Sequence, residues 1–235
     1  MTRQTVGNPD WMWNEMRQVG TDYADTAEVA AYDARMASFR DVNRENQQTL
    51  ALLELAPGSK VLEIGCGTGR FARAAARAGL ESFAVDISEV MLRYLAEKAQ
   101  EEGLKLAGLQ HAGFLTMSFP PGHFNAAVSG AALHHLPDAW KLVALLNVAR
   151  VLRPGGRFLL GDVVFSLSPD ETPEECFERF CASLPGMRLE AARHAAAEFS
   201  TYDWILEGLI ERAGFEIESR TAAPASFIRY LCRKT

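Results

Sequence analysis

The run Val61-Leu62-Glu63-Ile64-Gly65-Cys66-Gly67-Thr68-Gly69-Arg70 constrains this chain more than any other stretch. An apolar, β-favouring segment ends in Glu63 and Ile64, glycine then alternates with other residues, and Phe71 to Ala78 reads as a helix stopped by Gly79. Strand, tight loop and helix in that order begin an α/β unit. Glycine at 65, 67 and 69 lets the backbone reach dihedrals closed to other residues and come close to a ligand, and the free N–H groups of the helix start point at that ligand. The loop is built as a nucleotide-type cradle.

The same residues narrow the ligand. A dinucleotide fingerprint needs its third glycine where Arg70 stands; the pattern here is E-x-G-x-G-x-G. A carboxylate just before the loop would repel a pyrophosphate, whereas Glu63 suits a cationic ligand or orders the loop through its N–H groups. S-adenosylmethionine carries a sulfonium and an ammonium and has no phosphate. The motif resembles the first motif of class I S-adenosylmethionine-dependent methyltransferases. That resemblance implies S-adenosylmethionine as cofactor, its methionine part admitted by Gly65, Gly67 and Gly69 beside Cys66. A nicotinamide oxidoreductase and a non-catalytic S-adenosylmethionine-binding module are the alternatives.

Composition bounds the rest. With 235 residues, 48% of them hydrophobic, the chain suits one domain with a sizeable core plus appendages. Its net charge of -6 argues against a surface that neutralises phosphate backbones, so no nucleic-acid partner is expected. Met1 to Asp10 lack an apolar signal-peptide core and no run reaches membrane-spanning length, so a cytoplasmic protein with no membrane partner is expected. Cys66, Cys176, Cys181 and Cys232 show neither a C-x-x-C nor a paired spacing with histidines and read as reduced thiols.

Beyond the loop, element types alternate. Ser82 to Asp86 is a strand, and Ser88 caps a helix from Glu89 to about Glu102. Strands and helices joined by short links imply a parallel sheet covered on both faces, with ligands at the carboxyl ends of the strands. Asp86 ends the second strand about twenty residues past the first glycine, the spacing that brings an acid to a nucleoside ribose. Ser88 already serves as the cap, which leaves Asp86 for both ribose hydroxyls. Ile87 and Met91 would flank the adenine.

In the turn after the third strand the family often places an aspartate against the adenine amino group, and the best register puts Gly113 there. Adenine recognition then falls to backbone, through the Phe114 N–H, with Phe114 and Leu115 enclosing the ring. Phe124 to Val128 is the fourth strand, with Ser129 at its exit as a further cofactor-side candidate. Leu133-His134-His135-Leu136-Pro137-Asp138 resembles the segment after strand four in a small-molecule methyltransferase group that includes quinone-biosynthesis C-methyltransferases; Leu152-Arg153-Pro154-Gly155-Gly156 before strand five does likewise. His134 and His135 are candidates for a general base, and His134 for the cofactor pocket. Adjacent histidines do not easily share a metal, and no acid or cysteine stands at ligand spacing, so no metal site is expected. No Asx-Pro-Pro-Tyr follows strand four, which removes support for methylation of amide or exocyclic nitrogens of that type.

The ends add two appendages. Residues 1–45 carry scattered aromatics, with a weakly amphipathic helix from Thr26 to Arg44. By the family resemblance this is a lid over the cofactor, with Tyr23, Tyr32 and Arg40 as candidate contacts. Residues 166–200 break the alternation with two helices, the first opened by the capping box Thr172-Pro173-Glu174-Glu175, and form a substrate cap. The last two strands follow each other without a helix and pair antiparallel. The expected fold is therefore Rossmann-like α/β: a mainly parallel seven-stranded sheet with one antiparallel strand near the C-terminus, helices on both faces, and residues 46–235 as the cofactor-binding domain. The expected reaction is in-line methyl transfer to a small-molecule acceptor whose identity, like the oligomeric state, is open.

Overall fold

The computed structural model describes residues 9–17, 26–37, 41–184, 186–223 and 226–235. Five strands run parallel: β1 (Lys60–Ile64), β2 (Glu81–Asp86), β3 (Gly108–His111), β4 (Phe124–Gly130) and β5 (Leu152–Phe165). A two-residue strand β6 (Thr201–Tyr202) pairs with the end of β5, and β7 (Phe215–Ala223) and β8 (Phe227–Lys234) complete the sheet. The order is β3-β2-β1-β4-β5-β8-β7, and β8 is antiparallel to both of its neighbours. The last strand of the chain thus inserts between β5 and β7, and β7 becomes the edge.

Eight helices occur among the described residues: α1 (Thr26–Ala37), α2 (Val42–Leu53), α3 (Arg70–Arg77), α4 (Glu89–Glu101), α5 (Asp138–Val151), α6 (Pro173–Ala182), α7 (Arg188–Ala197) and α8 (Asp203–Arg212). Strand side chains alternate between faces, and β1 shows the result. Leu62 and Ile64 enter a core with Leu145 and Val148 of α5 and Leu206 and Ile210 of α8, whereas Val61 packs with Leu53 of α2 and Phe71 of α3. Both faces are covered. Each fully buried leucine or isoleucine contributes about 1.5–3 kcal/mol. No helix among the described residues is long and apolar enough to cross a membrane.

Several boundaries differ from the sequence reading for local reasons. The expected Thr26–Arg44 helix is divided, because Asp41 caps α2 by accepting from the Arg44 N–H at 3.1 Å. Helix α5 leaves Val143 and Leu146 exposed, while Lys141 is 2% exposed, its ammonium bonded to Asp138 and the Phe199 carbonyl. Thr201 joins β6, and its hydroxyl donates to Asp138 at 3.0 Å. Strand β5 begins at Leu152, ahead of the Arg153–Gly156 turn, so Phe124 faces Leu152 while Ala126 faces Arg157. Gly155 takes the positive φ that this excursion requires. The capping box forms as read, with Thr172 and Glu175 bonding reciprocally.

Candidate functional site

Register brings the carboxyl ends of the central strands together. Ile64 lies beside Val85 and Ser129, Asp86 beside His111, and Gly130 beside Gly161. The glycine loop leaves β1 at this edge, with Gly65, Gly67 and Gly69 all at positive φ. Their spatial roles differ. An added Cβ at Gly65 would meet Ala132 Cβ at 2.5 Å and one at Gly69 would meet Leu95 at 2.1 Å, whereas one at Gly67 would enter open space. Gly67 leaves its backbone beside open space; Gly65 and Gly69 make room for neighbouring elements.

Asp86 fixes this bared backbone. One carboxylate oxygen accepts from the Gly67 N–H and the other from the Ser88 N–H, each at 2.8 Å, and the residue is buried. Burial raises its pKa, while those N–H donors oppose the rise. Each oxygen keeps a lone pair for a hydroxyl donor. Ser88 independently caps α4, accepting from the Met91 N–H at 3.2 Å. Met91 is buried and Ile87 half-buried. Ser129 donates its hydroxyl to the Ile64 carbonyl at 2.8 Å, tying β4 to β1. The Cys66 side chain turns away into a cluster with Ala72, Ala84, Leu92 and Leu95, and burial pushes its thiol pKa up.

Glu63 performs the loop-ordering role. The N-cap of α3 is Gly69, which has no side chain, and Glu63 supplies the missing acceptor to the Ala72 N–H at 2.9 Å. Burial pushes its carboxyl up to about 8, against the opposing Ala72 bond and with the help of nearby Asp86. A carboxyl whose folded pKa is raised favours folding below its unfolded value and loses that contribution as pH rises through the folded one. The contribution of Glu63 to the stability of the unliganded wild type is therefore lost between about pH 4.5 and 8. Glu63→Gln retains an acceptor and removes the charge, so its melting temperature is expected to stay flatter over that range, the difference from wild type growing toward pH 8. Parallel melting curves for the two proteins would contradict this.

The N-terminal segment reaches the site through residues that the sequence did not single out. Tyr23 and Arg40 lie outside the described residues, and Tyr32 packs under the Arg35 guanidinium, 5.5 Å from its ring centre. Instead Asp33 of α1 accepts from the Thr68 hydroxyl of the glycine loop at 2.7 Å. Glu15, 6% exposed, accepts from the Leu115 N–H at 2.9 Å and from the Thr116 N–H and hydroxyl at 2.7 Å each. An added Cβ on Gly113 would lie 2.5 Å from Glu15 Oε2. Gly113 is small because Glu15 occupies its side-chain space. Phe114 is buried in the main core with Leu115 packed against it.

His134 and His135 form a short 3-10 turn after β4. Ala131, just before it, holds φ 53, uncommon for a residue with a side chain. The His134 ring is buried, with Nδ1 on Asp162 of β5 and Nε2 3.0 Å from Glu198 just beyond α7. Burial alone would lower its pKa, but the two carboxylates reverse this and hold it at about 9. His135 goes the other way, to about 4, through burial and the adjacent His134 charge. Neither imidazole titrates near neutrality as a tuned base does. Asp162, Glu198 and His194 were absent from the sequence reading; an acid inside the apolar run Leu159-Leu160-Gly161-Asp162-Val163-Val164 was the available signal.

Residues 61–156 match the family described as "Methyltransferase domain". The chain is similar to 27-O-demethylrifamycin SV methyltransferase of Amycolatopsis mediterranei, 30% identical over 59% of this chain and 51% of that protein. It is likewise similar to the ubiquinone biosynthesis O-methyltransferase of Methylococcus capsulatus, 30% identical over 53% of this chain and 52% of the relative. The chain thus spans about half the length of these curated relatives. Among solved structures, the PH0226 protein of Pyrococcus horikoshii superposes with a TM-score of 0.66 at 19% identity, covering 87% of this chain and 91% of that one, and shares the fold. Residues 61–156 are thus similar to a methyltransferase domain, and the curated relatives matched here are methyltransferases.

Proposed function

We propose that the chain transfers a methyl group from S-adenosylmethionine to a small-molecule acceptor. The observation that carries this reading is the pairing of Gly67, whose bared backbone opens onto free space, with the Asp86 carboxylate that holds it at 2.8 Å. Such a pair fits a nucleoside that has hydroxyls and lacks phosphate. In this reading Asp86 receives the ribose hydroxyls, Ile87 and Met91 flank the base, and Glu63 keeps the loop and the start of α3 in place. When bound, the cosubstrate supplies a methyl on a cationic sulfur with a neutral thioether as leaving group, so an in-line displacement needs no enzyme nucleophile.

The chain's own contribution is then positioning and exclusion of water. Both ring nitrogens of His134 are engaged by carboxylates, which supports a positioning role rather than proton abstraction. We assign residues 1–45 to a lid and 166–200 to a cap. Trp13 meets Phe199 edge-to-face at 5.6 Å, and the Phe199 N–H donates to the His134 carbonyl at 2.8 Å, so lid, cap and 3-10 turn meet at one place. The reading is tested by incubating the protein with S-adenosylmethionine and a panel of phenols, quinols and amines, and measuring S-adenosylhomocysteine. Acceptor-dependent turnover is expected; binding without turnover on any acceptor class would favour a non-catalytic binding module.

Glu15 stands where the resembling family places the aspartate of the adenine turn, and we assign it the contact to the adenine amino group. Glu15→Ala is expected to weaken S-adenosylhomocysteine binding about ten-fold, roughly the 1.4 kcal/mol of one charge-assisted bond. Gly113→Asp alone is expected to be defective because its Cβ meets Glu15. Combined with Glu15→Ala it should recover affinity, since the carboxylate returns on a shorter tether. Calorimetry on the three variants checks this, and a double variant no better than either single one contradicts it.

A further inference from the structure

We propose that the junction between the 3-10 turn and α7 is a binding site for one divalent transition-metal ion of the zinc type, held by His134 Nε2, His194 Nδ1 and Glu198 Oε2. These ligand atoms all lie within 4.8 Å of one another. Glu198 Oε2 stands 3.0 Å from His134 Nε2 and 2.9 Å from His194 Nδ1. Ligands about 2.0–2.1 Å from a tetrahedral zinc ion are about 3.3 Å apart, so the two carboxylate–imidazole separations need open by only a few tenths of an ångström. His194 and Glu198 are four residues apart and leave α7 on one side, while His134 faces them from the turn.

The outer partners are those of a metal site. The other ring nitrogen of each histidine is already anchored: His134 Nδ1 by Asp162, and His194 Nε2 by the Ser200 hydroxyl at 2.7 Å. Those bonds place the N–H on the anchored nitrogen and turn the other lone pair inward, as carboxylate- or hydroxyl-backed histidine ligands require. A second observation points the same way. His135 Nδ1 is buried without a hydrogen-bond partner and lies 3.8 Å from Glu198 Oε2, beside the same space. Two imidazoles and one carboxylate favour zinc-type ions over magnesium or calcium, which prefer oxygen. The ion replaces the proton that His134 and Glu198 share, releases it to solvent, and clasps the cap to the sheet. This inference stands apart from the cosubstrate reading, because none of its ligands lies in the glycine loop or on β2.

The test uses the whole chain, stripped with chelator and titrated at pH 7.5 with Zn2+ and separately with Co2+. One equivalent is expected to bind, the melting temperature to rise, and Co2+ to develop the intense visible bands of a low-coordinate nitrogen-oxygen site. His194→Ala and Glu198→Gln should each weaken binding at least 100-fold, and Ser200→Ala, which removes only an anchor, about ten-fold. Circular dichroism establishes that each variant is folded. No stoichiometric binding to wild type, a Co2+ spectrum like that of the aquated ion, or affinity unchanged in folded His194→Ala and Glu198→Gln would each overturn the proposal. S-adenosylhomocysteine binding, measured on the same samples, reports on the other reading separately.

Discussion

Asp162→Ala is expected to lower stability by about 3–5 kcal/mol, the magnitude seen when one member of a buried ion pair is removed. The residue is 2% exposed and accepts from three groups: the His134 ring, the His134 N–H at 3.0 Å and the Val163 N–H at 2.8 Å. Alanine leaves all three unanswered in a site that water does not reach. For a domain of this size each kcal/mol shifts the melting temperature by roughly 2–4 °C, so a fall of about 10 °C is expected. The loss should centre on the 3-10 turn, whose His134 backbone and ring both rest on this one carboxylate. Thermal melts with hydrogen exchange check it: a fall under about 1 kcal/mol, or exchange unchanged around residues 131–136, would show that Asp162 does not support the turn.

Asp86→Ala is expected to act on both the loop and its ligand. Without the carboxylate the Gly67 and Ser88 N–H groups lose their acceptors, at about 1–3 kcal/mol for each buried group left unsatisfied. Adenosyl-ligand affinity should fall well beyond ten-fold, because the ribose partner disappears while Gly67, freed from its tether, samples conformations that the bound state must then select against. Asp86→Asn separates the two effects. Its amide keeps one acceptor but sets a donor against an N–H, so it should remain folded and still bind poorly. Calorimetry alongside thermal melts decides; an Asn variant that binds like wild type would remove Asp86 from the ribose site.

What was legible in the sequence was local. Glu63, the alternate glycines, Asp86 and the Ser88 cap lie within about 25 residues, and strand and helix periodicity places them without knowledge of the rest. The antiparallel end was readable for the same reason, since consecutive strands without a helix must turn back. The missed residues all act over long separations. Glu15 reaches a turn 100 positions away, and Asp33 meets a loop 35 positions on. Asp162 and His134 are 28 apart, and Glu198 arrives from α7. Each looked ordinary in its own segment: Glu15 is one of many acids, and His194 and Glu198 sit in and just beyond an alanine-rich helix. The aromatic and basic residues of the leader attracted notice, yet in the described segment two carboxylates, Glu15 and Asp33, make the contacts, because the loop and the turn offer N–H and O–H donors that need acceptors.

Calorimetric titration of the wild-type chain with S-adenosylmethionine, S-adenosylhomocysteine and NAD decides whether the glycine loop binds an adenosyl cosubstrate. One site in the micromolar range is expected for both adenosyl ligands and none for the dinucleotide, whose fingerprint needs a third glycine where Arg70 stands. Binding of NAD alone, or of none of the three, would contradict this expectation.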